Sequence, residues 1–416
     1  MSKHILIIGG GIIGLCAAHY CQKRGHRVTV IDRNPQRRDG CSFGNAGMVV
    51  PSHFIPLAAP GMVKLGLKWM WNPESPFYVK PRLSWDLLTW GWRFWRAANK
   101  SHVARCTPLL RDLNLASRAC YEELAAQGHE FSLVKKGLLM LCKEPRTLDE
   151  EAHTAEQARA LGIPAEVLDA KQTDALEPGV TMAIAGSVYF PRDCHLSPGR
   201  FMQSLEDGLT KGGAKFHWET EVTGFRKGSS RVAAVKTRDG EIAADEIVLA
   251  GGAWSPLLAQ ELVLRIPMQA GKGYSLTVRQ PRQLPAICSI FAEARVAVTP
   301  MDGTLRFGGT MEIAGLNESI TARRVQGIIK AVPDYYPEFR TEDFAGIQPW
   351  RGLRPCSPDG MPYMGRTAKW QNVTIATGHS MMGLSLGPAT GKLMAQVIDG
   401  GKPDIDLALL SPDRFA

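Results

Sequence analysis

Three glycines and an aspartate carry the clearest chemical implication in this sequence. Gly9, Gly11 and Gly14 follow a short apolar run and precede a helical pattern, and Asp32 closes the next β-branched run. A turn of this kind presents backbone N–H groups and a helix N-terminus to a pyrophosphate, while the acid receives a ribose hydroxyl. Gly9 permits the tight turn, Gly11 admits the phosphates, and Gly14 lets helix and sheet approach. Ile12 and Ile13 supply the first helical amides, and Arg33 follows the acid. Just past it, the polar loop Cys41 to Gly47 offers Ser42, Asn45, Ala46 and Gly47, and Val222 is grouped with the same site. Two later turns again place small residues after a strand: Ile247 to Ser255, with Ala250, Gly251 and Trp254, and Gly378 to Gly383 before the last helix. The first motif alone leaves NAD and FAD open. Three such turns suit one long dinucleotide, and Met382, Gly383 and Leu384 set a helix N-terminus where a reduced flavin carries negative charge.

Strands and helices must aim these turns. Residues 4–9 read as a strand, 12–25 as a helix and 27–32 as a second strand, a β-α-β opening. Residues 83–127 read as mostly helical and 131–142 as a strand. Ser197 and Pro198 provide an N-cap and a first-turn proline for a helix reaching Leu209. Residues 215–250 read as a meander of strands with an Asp239-Gly240 turn, and 267–310 as strand-rich with an Asp302-Gly303 hairpin. A buried strand, Val373 to Ala376, and a helix, Leu384 to Ile398, close the chain.

With 416 residues, 44% of them apolar, the chain can bury a large core and form two domains. Nine cysteines, an odd number with no C-x-x-C pair, argue against a disulfide framework and a zinc ribbon, so a reducing, cytoplasmic setting and no metal site are expected. The apolar stretch from Ile5 to Cys21 holds four glycines and reads as strand and helix, not as a signal peptide. No other run approaches the roughly 20 apolar residues of a spanning helix. The net charge of +9 comes without a nucleic-acid motif, so no nucleic-acid partner is expected. Six of the ten tryptophans, at 69, 71, 85, 90, 92 and 95, fall among Lys64, Lys68, Lys80, Arg82, Arg93, Arg96 and Lys100. The segment 64–100 suits peripheral contact with an anionic membrane surface, or the packed core of a helical insert.

The order and spacing of five further landmarks carry a family resemblance over nearly the whole chain. They are Ser42-Phe-Gly-Asn-Ala-Gly47, Gly271-Lys-Gly-Tyr-Ser275, Gly308-Gly-Thr-Met-Glu312, Gly352-Leu-Arg-Pro355 with Ser357-Pro-Asp-Gly360, and Gly378-His379. With the N-terminal glycines, they resemble the FAD-dependent D-amino acid dehydrogenases and the glycine and D-amino acid oxidases, the bacterial D-amino acid dehydrogenases most of all. The resemblance implies an α/β fold: a glutathione-reductase-like, FAD-binding Rossmann domain (1–80, 147–268 and 346–416) and a second α+β substrate domain on an antiparallel sheet (81–146 and 269–345). It implies non-covalent FAD, hydride transfer from the α-carbon of a D-amino acid to flavin N5, and a quinone or respiratory-chain acceptor. Arg354 is implied as the carboxylate clamp, a role that suits a planar two-donor fork. Tyr274 and His379 are further catalytic candidates, and His53 and His195 weaker ones. Alternatives are an oxygen-using D-amino acid, glycine or sarcosine oxidase, and an electron-relay subunit that binds flavin without turnover.

Three positions depart from the relatives. Met381 stands where glycine oxidase has an arginine, Ala297 where it has a tyrosine, and Gly352 where sarcosine-oxidase relatives carry the cysteine that links flavin. The pocket wall is therefore expected to be smaller or more apolar. The segment Gly378 to Gly391 is similar to members that oxidise D-proline-type rings, notably cis-4-hydroxy-D-proline.

Overall fold

The computed structural model describes residues 1–69 and 74–416, so Trp71 lies outside the described residues. The opening β-α-β forms as the sequence predicts. The strand His4–Ile8 runs parallel to Arg27–Ile31, with Ile5 opposite Val28, and the helix Ile12–Lys23 joins them. These two strands sit inside a six-stranded sheet ordered Tyr363–Arg366, Val373–Thr377, Glu246–Leu249, His4–Ile8, Arg27–Ile31, Lys215–His217. All neighbours are parallel except the first pair. Both faces are buried, as parallel sheets require. Ile5 and Ile7 pack beneath the helices Ile12–Lys23, Pro198–Lys211 and Gly383–Ile398. Leu6 and Ile8 face the opposite core with Phe225, Val232 and Val235.

The meander expected over 215–250 divides between two sheets. Its first and last strands, Lys215–His217 and Glu246–Leu249, join the parallel sheet. Only the middle of the stretch forms an antiparallel unit, Val222–Lys227, Val232–Thr237 and Gly240–Ile242. Partnership over long sequence separations, which local patterning does not encode, makes the difference. The strand expected over 131–142 is confined to Leu138–Cys142, because Ser132 and Gly137 adopt positive φ and interrupt the extended chain. Pro198 opens its helix as expected, but Ser197 makes no side-chain cap.

The second sheet has nine strands. Its main path runs Trp350–Cys356, Gln269–Val278, Thr304–Ile313, Val296–Met301, Cys288–Phe291, Leu138–Cys142, Gly186–Phe190, Glu166–Asp169, and Phe77–Val79 pairs with Thr304–Ile313. The Asp302-Gly303 hairpin is present, with φ of 50° and 80° at its two central residues, the left-handed pair of a type I′ turn. Four strands of this sheet, Phe77–Val79, Glu166–Asp169, Gly186–Phe190 and Trp350–Cys356, fall within the stretches 1–80, 147–268 and 346–416. One face packs on the helix Ala322–Tyr335 through Leu276, Phe307, Ile328 and Val332. The other meets the loop 41–47: Ser275 Oγ donates to the Gly44 carbonyl and Arg306 Nη1 to that of Asn45.

The tryptophan-rich segment forms the helices Met62–Trp69 and Trp85–Ala97. Trp90 is buried and donates to the Cys356 carbonyl, whereas Trp85, Trp92 and Trp95 are exposed. Among the described residues, no helix is long and apolar enough to cross a membrane.

Candidate active site

Both ends of the predicted machinery open onto a single cleft between the two sheets. Gly9, Gly11, Ile12, Ile13, Asp32, Arg33, Ser42 and Asn45 line it from the N-terminal unit. Val222, Ala250, Gly251 and Trp254 line it from the middle of the chain, and Gly383 and Leu384 from the last helix. Arg354 and His379 line it as well.

The N-terminal turn is held tightly. Gly9 has a φ of 113°, a conformation that L side chains avoid, and a Cβ there would lie 2.4 Å from the Ala250 carbonyl oxygen. A Cβ on Gly14 would lie 1.9 Å from the Gly9 carbonyl oxygen, so Gly14 serves packing and does not line the cleft. The Asp32 carboxylate accepts the Gly10 N–H at 2.7 Å and the Asn34 N–H at 2.8 Å, which fixes it at the rim. Arg33 stacks its guanidinium 4.0 Å from the centre of the Trp254 ring. The helices Ile12–Lys23 and Gly383–Ile398 both begin at this cleft; the Ile12 N–H donates to Ser42 Oγ at 3.1 Å, and the N-cap residues Gly11 and Met382 offer no side-chain cap of their own. Two helix N-termini and amide-bearing turns supply donors, and the fixed carboxylate an acceptor, a set that fits an extended dinucleotide.

On the second sheet, alternation along Gln269–Val278 decides which residues face the cleft. Gly271, Gly273 and Ser275 point toward Cys356, Arg354 and the loop at Gly44. Lys272, Tyr274 and Leu276 point the other way. Tyr274 is therefore not at the cleft: it is buried, donates to Glu312 Oε2 at 2.7 Å and accepts the Thr321 N–H at 3.2 Å. Burial pushes its hydroxyl up to about 12.

Arg354 is half-buried, and its Nη1 donates to the Thr310 carbonyl at 2.7 Å. Thr310 has a φ of 61° and sits where the register of Thr304–Ile313 against Gln269–Val278 shifts, a bulge that aims this carbonyl. The guanidinium lies directly over Gly273, where a Cβ would come within 2.2 Å of both terminal nitrogens. His379 is buried, which lowers its pKa to about 3 and keeps the ring neutral. Its Nε2 meets Thr390 Oγ1 at 3.0 Å, and its Nδ1 has no partner among the described residues.

Four further expected cofactor residues stand just behind the lining. Ala46 and Met382 belong to an apolar cluster with Met48, Ile290 and Ala297. Gly47 accepts the Leu196 N–H, and Gly378 has a φ of 79° and packs on Tyr363. Met381 is exposed. Gly352 abuts the Trp350 ring, with 2.2 Å from a built Cβ to its nearest atom. The weaker candidates have other surroundings: His53 meets Ser52 Oγ at 3.1 Å, and His195 pairs with Met48 and Val134 in short bridges. Burial lowers both to about 4.

Two arginines that the sequence reading passed over also shape the cleft. Arg38 is buried, donates twice to the Gly10 carbonyl and pairs with Glu206 at 2.5 Å. Arg306, brought down to about 10 by burial, ties the loop 41–47 to the second sheet through the Phe43 and Asn45 carbonyls. Both bind backbone carbonyls far off in the chain or in a loop, and nothing in the local sequence marks those partners.

The chain is similar to known proteins over nearly its whole length. Residues 4–397 match the family model described as FAD dependent oxidoreductase. A D-amino acid dehydrogenase of Granulibacter bethesdensis is 31% identical over 420 residues, with 99% of each chain covered. One from Cereibacter sphaeroides is 33% identical over 428 residues, covering 99% of this chain and 95% of the relative. Among solved structures, glycine oxidase from Geobacillus kaustophilus superposes with a TM-score of 0.80 at 25% identity, covering 100% of this chain and 99% of that one. L-proline dehydrogenase from P. horikoshii has the same fold, with a TM-score of 0.75 at 20% identity over 100% and 98% of the two chains. With the glycine turn, the fixed aspartate and two helix N-termini on one cleft, the chain belongs to the FAD-dependent oxidoreductase family.

Proposed function

We propose that this protein dehydrogenates the α-carbon–nitrogen bond of a D-amino acid. The observation that carries the reading is Arg354. It is a half-buried guanidinium on the cofactor cleft, anchored at Nη1 by the Thr310 carbonyl and bearing no carboxylate partner among the described residues. A planar cation held in this way suits the carboxylate of an amino acid, and the D-amino acid dehydrogenases found among the relatives support that choice. FAD, held without a covalent link, supplies the hydride acceptor. The chain's own part is to clamp the carboxylate, present the α C–H and keep water out. Tyr274 takes no part, because it lies on the far face of its strand. His379 stays neutral and contributes a polar contact at the cleft wall.

A D-proline-type ring such as cis-4-hydroxy-D-proline is the substrate we favour, on the likeness of Gly378 to Gly391 to members that oxidise such rings. Transfer of electrons to a membrane quinone gives the exposed Trp85, Trp92 and Trp95, with the lysines and arginines of 64–100, a use as a peripheral dock on the inner face of the cytoplasmic membrane. An oxidase is the second reading, favoured by the fit to glycine oxidase. Anaerobic bleaching of the flavin by D-proline, cis-4-hydroxy-D-proline, D-alanine, D-arginine, sarcosine and glycine tests both. Rapid bleaching by a D-amino acid is expected, with Arg354→Ala losing about 100-fold or more in kcat/KM, mostly through KM. Bleaching by none of them overturns the reading, and stoichiometric hydrogen peroxide in air replaces it with the oxidase.

A further inference from the structure

A second cavity of about 300 Å³ lies beside the cofactor cleft and shares only Ala253 and Leu257 with it. It is bounded by the first turns of the helix Trp85–Ala97, the segment 264–270 and the chain just after the strand Thr304–Ile313. Three arginines line it, Arg82, Arg93 and Arg265, against one acid, Asp86. No carboxylate among the described residues lies within 4.0 Å of any of the three guanidinium groups. Arg82 is met by a neutral amide, its Nη2 donating to Gln269 Oε1 at 2.5 Å, and its buried Nε–H has no acceptor among the described residues. Arg93 feels both burial and the charge of Arg265, and together they lower its pKa.

Like charges gathered without counter-ions raise the energy of a site until an anion enters. Three cations against one acid leave two positive charges, the complement of a dianionic phosphate monoester. Guanidinium forks match phosphate oxygens in geometry, and Pro256, Ile266 and Leu316 give an organic body an apolar wall. We propose that this cavity binds the phosphate of a small phosphate monoester. Two sources share that chemistry: a soluble ester such as a mononucleotide, and a monoester headgroup such as phosphatidic acid in a membrane. The exposed Trp85 also lines the cavity.

The test uses FAD-saturated holoenzyme at fixed ionic strength. Inorganic phosphate and AMP are titrated by calorimetry, with chloride as control, and vesicles of phosphatidylcholine with and without phosphatidic acid are sedimented with the enzyme. Wild type is expected to bind at least one of these phosphate probes saturably. Arg265→Gln should weaken binding roughly tenfold, and Arg93→Gln/Arg265→Gln roughly a hundredfold. Arg265 is exposed, so its single variant probes the charge without risk to folding. Binding of phosphate or AMP assigns the soluble source, and binding of phosphatidic acid vesicles alone assigns the lipid. Absence of saturable binding to every probe, or equal affinity in wild type and the double variant, overturns the proposal. Flavin bleaching by D-amino acids is unaffected in either case, so the test stands apart from the substrate reading.

Discussion

The two ends of the cofactor cleft are built on opposite principles. At the nucleotide end, the turn Gly9–Gly14 and Asp32 are positioned by a contiguous β-α-β unit whose glycines sit against backbone atoms, with 1.9 Å from a Cβ on Gly14 to the Gly9 carbonyl oxygen. At the substrate end, Arg354, Gly273 and Thr310 come from three strands far apart in sequence, and the guanidinium meets its neighbours through a flexible side chain. The first arrangement is rigid and local, and it tolerates no added atom. The second can yield at a cost in geometry.

Gly14→Val should break the nucleotide end outright. The obstructing atom is backbone, so helix and strand must separate, at a cost of about 3 kcal/mol or more. The expected result is insoluble protein, or soluble protein without flavin absorbance; normal FAD content would show that the two ends do not differ in rigidity.

Gly273→Ala should affect the substrate end alone. Its new methyl group would occupy the place of the Arg354 terminal nitrogens, which can swing aside. FAD content and thermal stability should stay close to wild type while kcat/KM falls roughly ten- to a hundredfold, chiefly through KM. Steady-state kinetics beside flavin content separates this from a folding defect, and loss of FAD would blur the distinction between the two ends.

The same contrast governs what the sequence made legible. The strand, glycine turn, helix and acid of the nucleotide end are adjacent in the chain, and so is the Asp302-Gly303 hairpin, whose left-handed pair is encoded by its own two residues. Lys215–His217 and Glu246–Leu249 read as parts of one meander, yet they join different strands of the parallel sheet, because strand exchange over long separations leaves no local trace. The bulge at Thr310 and the anchors Arg38 and Arg306 are invisible for the same reason. The face of Tyr274 is a different matter. Small residues alternate with large ones through Gly271-Lys-Gly-Tyr-Ser275, so period two alone puts the tyrosine opposite the glycine face.

That alternation yields the smallest kinetic effect and the sharpest check on the assignment of faces. Tyr274→Phe removes the donor to Glu312 Oε2 and the acceptor of the Thr321 N–H while leaving the ring in its core. A buried carboxylate oxygen and an amide then lose partners, at a cost of about 1–3 kcal/mol in denaturant unfolding. Because the hydroxyl lies on the side of the sheet away from the cleft, kcat, KM and the rate of flavin bleaching should match wild type. A fall in kcat of tenfold or more in the folded, flavin-replete variant would instead put the Tyr274 hydroxyl in the reaction, and would require the strand Gln269–Val278 to present its other face to the flavin.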